Sequence, residues 1–102
     1  MNDAKPQASA RAPDRDLLER AHDFPCTYRI KAFGPSGAPF RSALLDAAGE
    51  VLGADRVNVA GERSTRSGDR VCITLALEVE NVDDIVGVYD RLHDVRGLSL
   101  IL

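Results

Sequence analysis

The sequence predicts an α+β domain of order βαββαβ, a four-stranded antiparallel sheet with two helices on one face. Three observations carry that expectation. In residues 70–80, Val71, Ile73, Leu75, Leu77 and Val79 alternate with Arg70, Cys72, Thr74, Ala76, Glu78 and Glu80, which marks a strand with one face in a core and the other open. Two further stretches carry apolar residues at spacings of three and four, the pattern of an amphipathic helix. Glycine and proline clusters separate these stretches where turns are required. With 102 residues, the chain has the length of one domain built on one core.

In chain order, residues 1–13 hold two prolines and four alanines without periodicity and are expected to form a disordered tail. Residues 14–22 are expected to form a short helical turn capped by Asp14, with Leu17, Leu18 and Ala21 as its apolar stripe. The domain proper then runs over residues 23–102. Its first strand spans Cys26 to Phe33, with Tyr28, Ile30 and Ala32 on the core face and Arg29, Lys31 and Phe33 on the other. The Gly34-Pro35-Ser36-Gly37 stretch should break it. Pro39 suits a helical first turn, followed by the stripe Phe40, Leu44, Ala47, Ala48, Val51 and Leu52, with Gly53 as the stop. Gly49 inside this helix costs roughly 1 kcal/mol against alanine, and so points to close packing there.

A second strand is expected from Arg56 to Arg63, with Val57 and Val59 inward, then a hairpin around Thr65-Arg66-Ser67-Gly68 into the alternating strand. Asn81 caps a second helix with the stripe Val82, Ile85, Val86, Tyr89 and Leu92. Leu98 to Leu102 forms a final strand. Two split βαβ units connected this way give the spatial order fourth, first, third, second. The alternating strand is therefore central.

Composition excludes several classes. No apolar run reaches the ~20 residues of a membrane span. The N-terminus lacks the apolar segment of a secretory signal, so a cytoplasmic protein is expected. A formal net charge of −3 disfavours nucleic acid as a partner. Cys26, Cys72, His22 and His93 form no metal-ligand spacing, so no metal and no cofactor are expected. The two cysteines fall on opposite faces of the sheet and should stay unpaired, and the two histidines are expected at the solvated surface.

Phe24-Pro25-x-x-Tyr28-x-Ile30-Lys31-Ala32-Phe33-Gly34, the segment Ser67 to Leu75 and the closing apolar strand together resemble the YbeD-like family. These are small bacterial proteins carrying a domain of unknown function, labelled as lipoate-regulatory. The resemblance spans roughly Phe24 to Leu102. It implies a ferredoxin-like fold similar to that of ACT regulatory domains, in line with the derived order. The sequence differs from the family pattern in the hairpin, with Arg70 in place of an aromatic residue and Cys72 in place of serine.

Strand parity assigns Arg29, Lys31, Phe33, Asn58, Ala60, Cys72, Thr74, Ala76, Ser99 and Ile101 to the face that no helix covers. An RNA-binding sheet would set several aromatics there, whereas only Phe33 qualifies. Small residues at the centre suit a protein partner or self-association, through this face or an exposed strand edge. The hairpin arginines Arg63, Arg66 and Arg70, with the nearby hydroxyls and glycine, form a candidate cradle for a small anion. The expected role is a non-catalytic regulatory or interaction domain. The rival is a hydrolase of the acylphosphatase kind, with Arg41 holding phosphate and Asn58 orienting water.

Overall fold

The protein, described by a computed structural model over residues 12–102, has a mixed α/β architecture of three helices and one four-stranded antiparallel sheet. The elements are α1 (Arg15–Ala21), β1 (Cys26–Pro35), α2 (Ala38–Leu52), β2 (Val57–Ser64), β3 (Arg70–Val79), α3 (Val82–Leu92) and β4 (Leu100–Ile101), with one 3-10 turn at Ala54–Arg56 before β2. The sheet order is β2-β3-β1-β4, which from the β4 edge reads fourth, first, third, second. Residues 1–11 of the expected tail lie outside the described residues. Ala12 packs against the core.

β3 pairs along its whole length with β1, from Cys26 opposite Val79 to Pro35 opposite Arg70. Its odd residues Val71, Ile73, Leu75, Leu77 and Val79 are all buried, and Leu75 and Leu77 are fully enclosed. Ile30 and Ala32 of β1 join them. Above this surface, α2 contributes Phe40, Leu44, Ala48 and Leu52, one residue every four, and α3 contributes Val82, Ile85, Val88, Tyr89 and Leu92. All belong to one hydrophobic cluster. Enclosing each Val, Leu, Ile or Phe side chain among them is worth roughly 1.5–3 kcal/mol.

Local chemistry fixes the helix ends. Asp14 Oδ2 accepts from the Leu17 N–H at 3.3 Å, and Asn81 Oδ1 accepts from the Asp84 N–H at 3.0 Å. α2 has no side-chain cap. It starts at Gly37 with φ +118°, holds a proline in its first turn and stops at Gly53 with φ +97°. Of the α1 stripe only Leu18 is buried, whereas Leu17 is 58% exposed.

Several expectations need correction. β1 does not break at Gly34 but continues through Pro35. Gly34 is needed there because a Cβ would lie 2.3 Å from the Phe40 ring, so the helix sets its first large side chain onto bare backbone. Gly49 is not forced by packing, since a Cβ there would meet Ala54 Cα at an ordinary 3.7 Å. Val59 keeps the expected register, opposite the buried Leu75, but is 37% exposed on the edge strand, and a bulge between Val59 and Gly61 shifts the residues beyond it. The last strand is shorter than expected. Phe33 faces Leu100 and Ala32 faces Ile101, so Ile101 packs on the core and Leu100 and Leu102 take the open face, the reverse of the expected parity. His22 is half-buried, its ring edge-on to Tyr28 at 5.1 Å. No helix among the described residues is long and apolar enough to cross a membrane.

Candidate functional site

The even residues of β3 build the open face outward from the middle of the sheet. Cys72, Thr74 and Ala76 are half-buried, and the two long helices share the core on the opposite side of the strand. Phe33, Lys31 and Arg29 stand beside them on β1, in register with Cys72, Thr74 and Ala76. On β2 the bulge reorganises the register. Asn58 still faces Ala76, but past Ala60 the residues opposite Thr74 and Cys72 are Gly61 and Arg63. One extra residue reverses the parity of everything beyond it. Arg63 thereby leaves the expected hairpin cradle and joins the open face.

Two shallow depressions, of about 500 and 610 Å³, open on this face and share Lys31, Gly61, Thr74 and Leu102. One extends toward Phe33, Cys72 and Arg63, the other toward Arg29 and Ala60. Together they form a trough over β3, floored by small residues and walled by long side chains from β1 and β2. Arg29, Lys31 and Arg63 have no ion-pair partner among the described residues, while Arg15, Arg41, Arg56 and Arg91 are paired. At the far end, Glu78 accepts from Thr27 Oγ1 at 3.0 and 3.1 Å. Leu100 and Leu102 are 51% and 62% exposed and add an apolar rim beside Phe33.

The hairpin arginines are not brought together. Arg70 Nη2 donates to Ser99 Oγ at 2.7 Å, and Ser99 Oγ donates on to the Phe33 carbonyl at 3.0 Å. Arg66 stays on the loop. The loop hydroxyls turn to Asp69: Ser67 Oγ donates to Asp69 Oδ1 in a short hydrogen bond, and Thr65 Oγ1 lies 3.5 Å from the same oxygen. Those contacts, that from Ser67 foremost, hold the Asp69 carboxyl below its ordinary value. The cradle thus already contains an anion, the side chain of Asp69. Ser36 ties the loop to the end of β1, its N–H to the Asp69 carbonyl at 3.1 Å and its hydroxyl to the Gly68 carbonyl at 2.8 Å.

Arg41 and Asn58 are also kept apart. The bulge that sends Arg63 outward turns Glu62 toward α2, where Arg41 donates to Glu62 Oε1 from Nε at 3.1 Å and Nη2 at 2.7 Å. Asn58 is exposed beside Ala76 on the other face. Cys26 and Cys72 are free thiols on opposite faces, and burial, with Asp23 and Glu78 adding to it, raises the Cys26 thiol. Burial and the hydrogen bond to Tyr28 at 3.1 Å raise the Tyr89 phenol. Among the described residues no group of three or more His, Cys, Asp or Glu is placed to hold a metal ion.

The sequence already pointed to Lys31, Phe33, Cys72, Thr74 and Ala76 on one surface. It did not assign Arg63, Gly61, Leu100 or Leu102 to it, because their positions depend on a bulge and on a two-residue edge strand. No curated protein and no solved structure matches the chain. A family profile does match, over residues 19–102, and the chain belongs to that family, described as "Protein of unknown function (DUF493)".

Proposed function

We propose that this chain is a non-catalytic interaction domain that engages another protein through the open face of its sheet. The observation that carries the reading is the trough over Cys72, Thr74 and Ala76 that no described helix covers, flanked by cations without ion-pair partners among the described residues and by an apolar rim. A half-apolar surface with small residues at its centre admits a partner's side chains, and the long residues around it give a polar margin. The ferredoxin-like, ACT-like fold and the YbeD-like resemblance belong with this reading, since the order fourth, first, third, second leaves one sheet face free for contact. A regulatory role is what the same resemblance implies, and the cytoplasm is the location expected for it. A small anion bound at Lys31 and Arg63 is a compatible accessory ligand, better supplied with free donors than the hairpin.

Site-specific photocrosslinking in cells tests the surface. A crosslinker at position 74 should give one or a few discrete adducts, and one at Asp46 on the exposed side of α2 should give none. Adducts from position 46 alone, or the same smear from both, would overturn the assignment.

A further inference from the structure

Cations outnumber acids along the trough. Arg29, Lys31 and Arg63 line the trough without ion-pair partners among the described residues. The helices carry Asp16, Glu19, Asp46, Glu50, Asp83 and Asp84 beside Arg15, Arg20, Arg41 and Arg91. The acids at the trough are Glu62 on one wall, paired with Arg41, and Glu78 at the far end, held by Thr27. In a chain of formal net charge −3, the open face is thus a local exception in sign.

We propose that the trough takes an acidic, extended segment of a partner protein and not the open face of a second copy. The proposal rests on the reading of the open face as the interaction surface. Two copies meeting face to face would bring the same three cations of each into opposition, which costs affinity wherever like charges are held close. An acidic segment meets the opposite condition. Arg29 and Lys31 stand two residues apart on β1, a repeat of about 6.8 Å, the same as between alternate side chains of an extended chain. Arg63 stands across the trough on β2, two strand spacings or about 10 Å away. A segment lying between these walls can set carboxylates at alternate positions toward Arg29 and Lys31, with Arg63 on its other side. Its apolar side chains can rest on Phe33 and Leu102, above the hydroxyl of Thr74. Single-stranded nucleic acid is also an extended anion, but it draws its affinity from stacking on several aromatic side chains, and this face offers only Phe33.

The test is selection of displayed random-sequence peptides against the full chain, with a random single-stranded RNA pool run in parallel. The expected result is peptides enriched in Asp and Glu at alternate positions. The Lys31→Glu/Arg63→Glu double variant should bind them roughly tenfold more weakly or worse. Arg20→Glu on α1 should bind as the unaltered chain does, and unchanged melting of all variants excludes misfolding. Enriched peptides without acidic bias that still fail on Thr74→Arg would overturn the acidic partner while leaving the open face as the interaction surface. Peptides indifferent to Thr74→Arg would overturn both. No enrichment, or enrichment of RNA instead of peptide, would overturn the proposal.

Discussion

Leu75 and Thr74 are adjacent in β3, and the pleat gives them opposite surroundings. Leu75 is fully enclosed among residues of α2, α3 and β1, whereas Thr74 lies on the trough floor beside Gly61. Leu75→Ala should therefore cost about 2–5 kcal/mol, through lost transfer energy and the cavity left behind. Thr74→Ala should cost about 1 kcal/mol or less, as for most surface changes. Chemical denaturation of the two variants measures the difference. Asp69 offers a second residue-scale check. Its carboxyl is lowered chiefly by the hydrogen bond from Ser67, so the folded loop prefers the ionised form. That preference is fully present above the ordinary carboxyl value of 3.8 and is lost as pH falls through the lowered folded value. Ser67→Ala should move the Asp69 midpoint upward toward the ordinary value, read from its carboxyl carbon shift by NMR.

At the scale of elements, β2 depends on one inserted residue. Before Ala60 the strand has Val57 buried under α2, and after it Glu62 reaches Arg41 while Arg63 faces Cys72. Deleting Ala60 should remove the bulge and leave plain alternation with the same partners, Gly61 opposite Thr74, Glu62 opposite Ile73 and Arg63 opposite Cys72. The Arg41–Glu62 pair should persist, and hydrogen exchange along β2 should slow where the bulge had interrupted the ladder. Loss of that pair or faster exchange would show that the bulge itself sets the register. Two glycines differ in what their missing side chain does for the backbone. Gly34→Ala would drive a methyl into the Phe40 ring and should destabilise clearly, whereas Gly49→Ala meets only an ordinary contact and should stabilise by up to about 1 kcal/mol through helix propensity. Thermal melting distinguishes the two. These cases also explain what was legible in the sequence. The alternation of β3 and the stripes of α2 and α3 are local patterns wide enough to dictate their own faces. The bulge at Ala60 is a property of a pairing between two strands, and no composition marks it. β4 failed for a related reason. In Leu98-Ser99-Leu100-Ile101-Leu102, a polar Ser99 suggests one parity, but Ile101 fits opposite the small Ala32 and the hydroxyl of Ser99 is satisfied by Arg70 and the Phe33 carbonyl.

For the whole molecule, the excess of cations along the open face sets how copies can meet. Opposed sheets pack about 10 Å apart, close to the Debye length of about 10 Å at 0.1 M salt and well beyond the ~3 Å at 1 M. Repulsion among Arg29, Lys31 and Arg63 of each copy should therefore act between two open faces in dilute salt and vanish in concentrated salt. The apolar rim of Phe33, Leu100 and Leu102 is unaffected by screening and would then favour contact. Sedimentation equilibrium at high protein concentration should give a monomer in dilute salt and a rising apparent mass as salt increases. Thr74→Arg should suppress the rise by adding a cation and bulk at the contact. Association that is strongest in dilute salt and dissolves as salt is added would mean the reverse arrangement, in which the cationic face of one copy docks on the acidic helices of the next. Such head-to-tail contact closes into a ring where its rotation allows and otherwise runs on as an open chain, so its masses need not stop at a dimer.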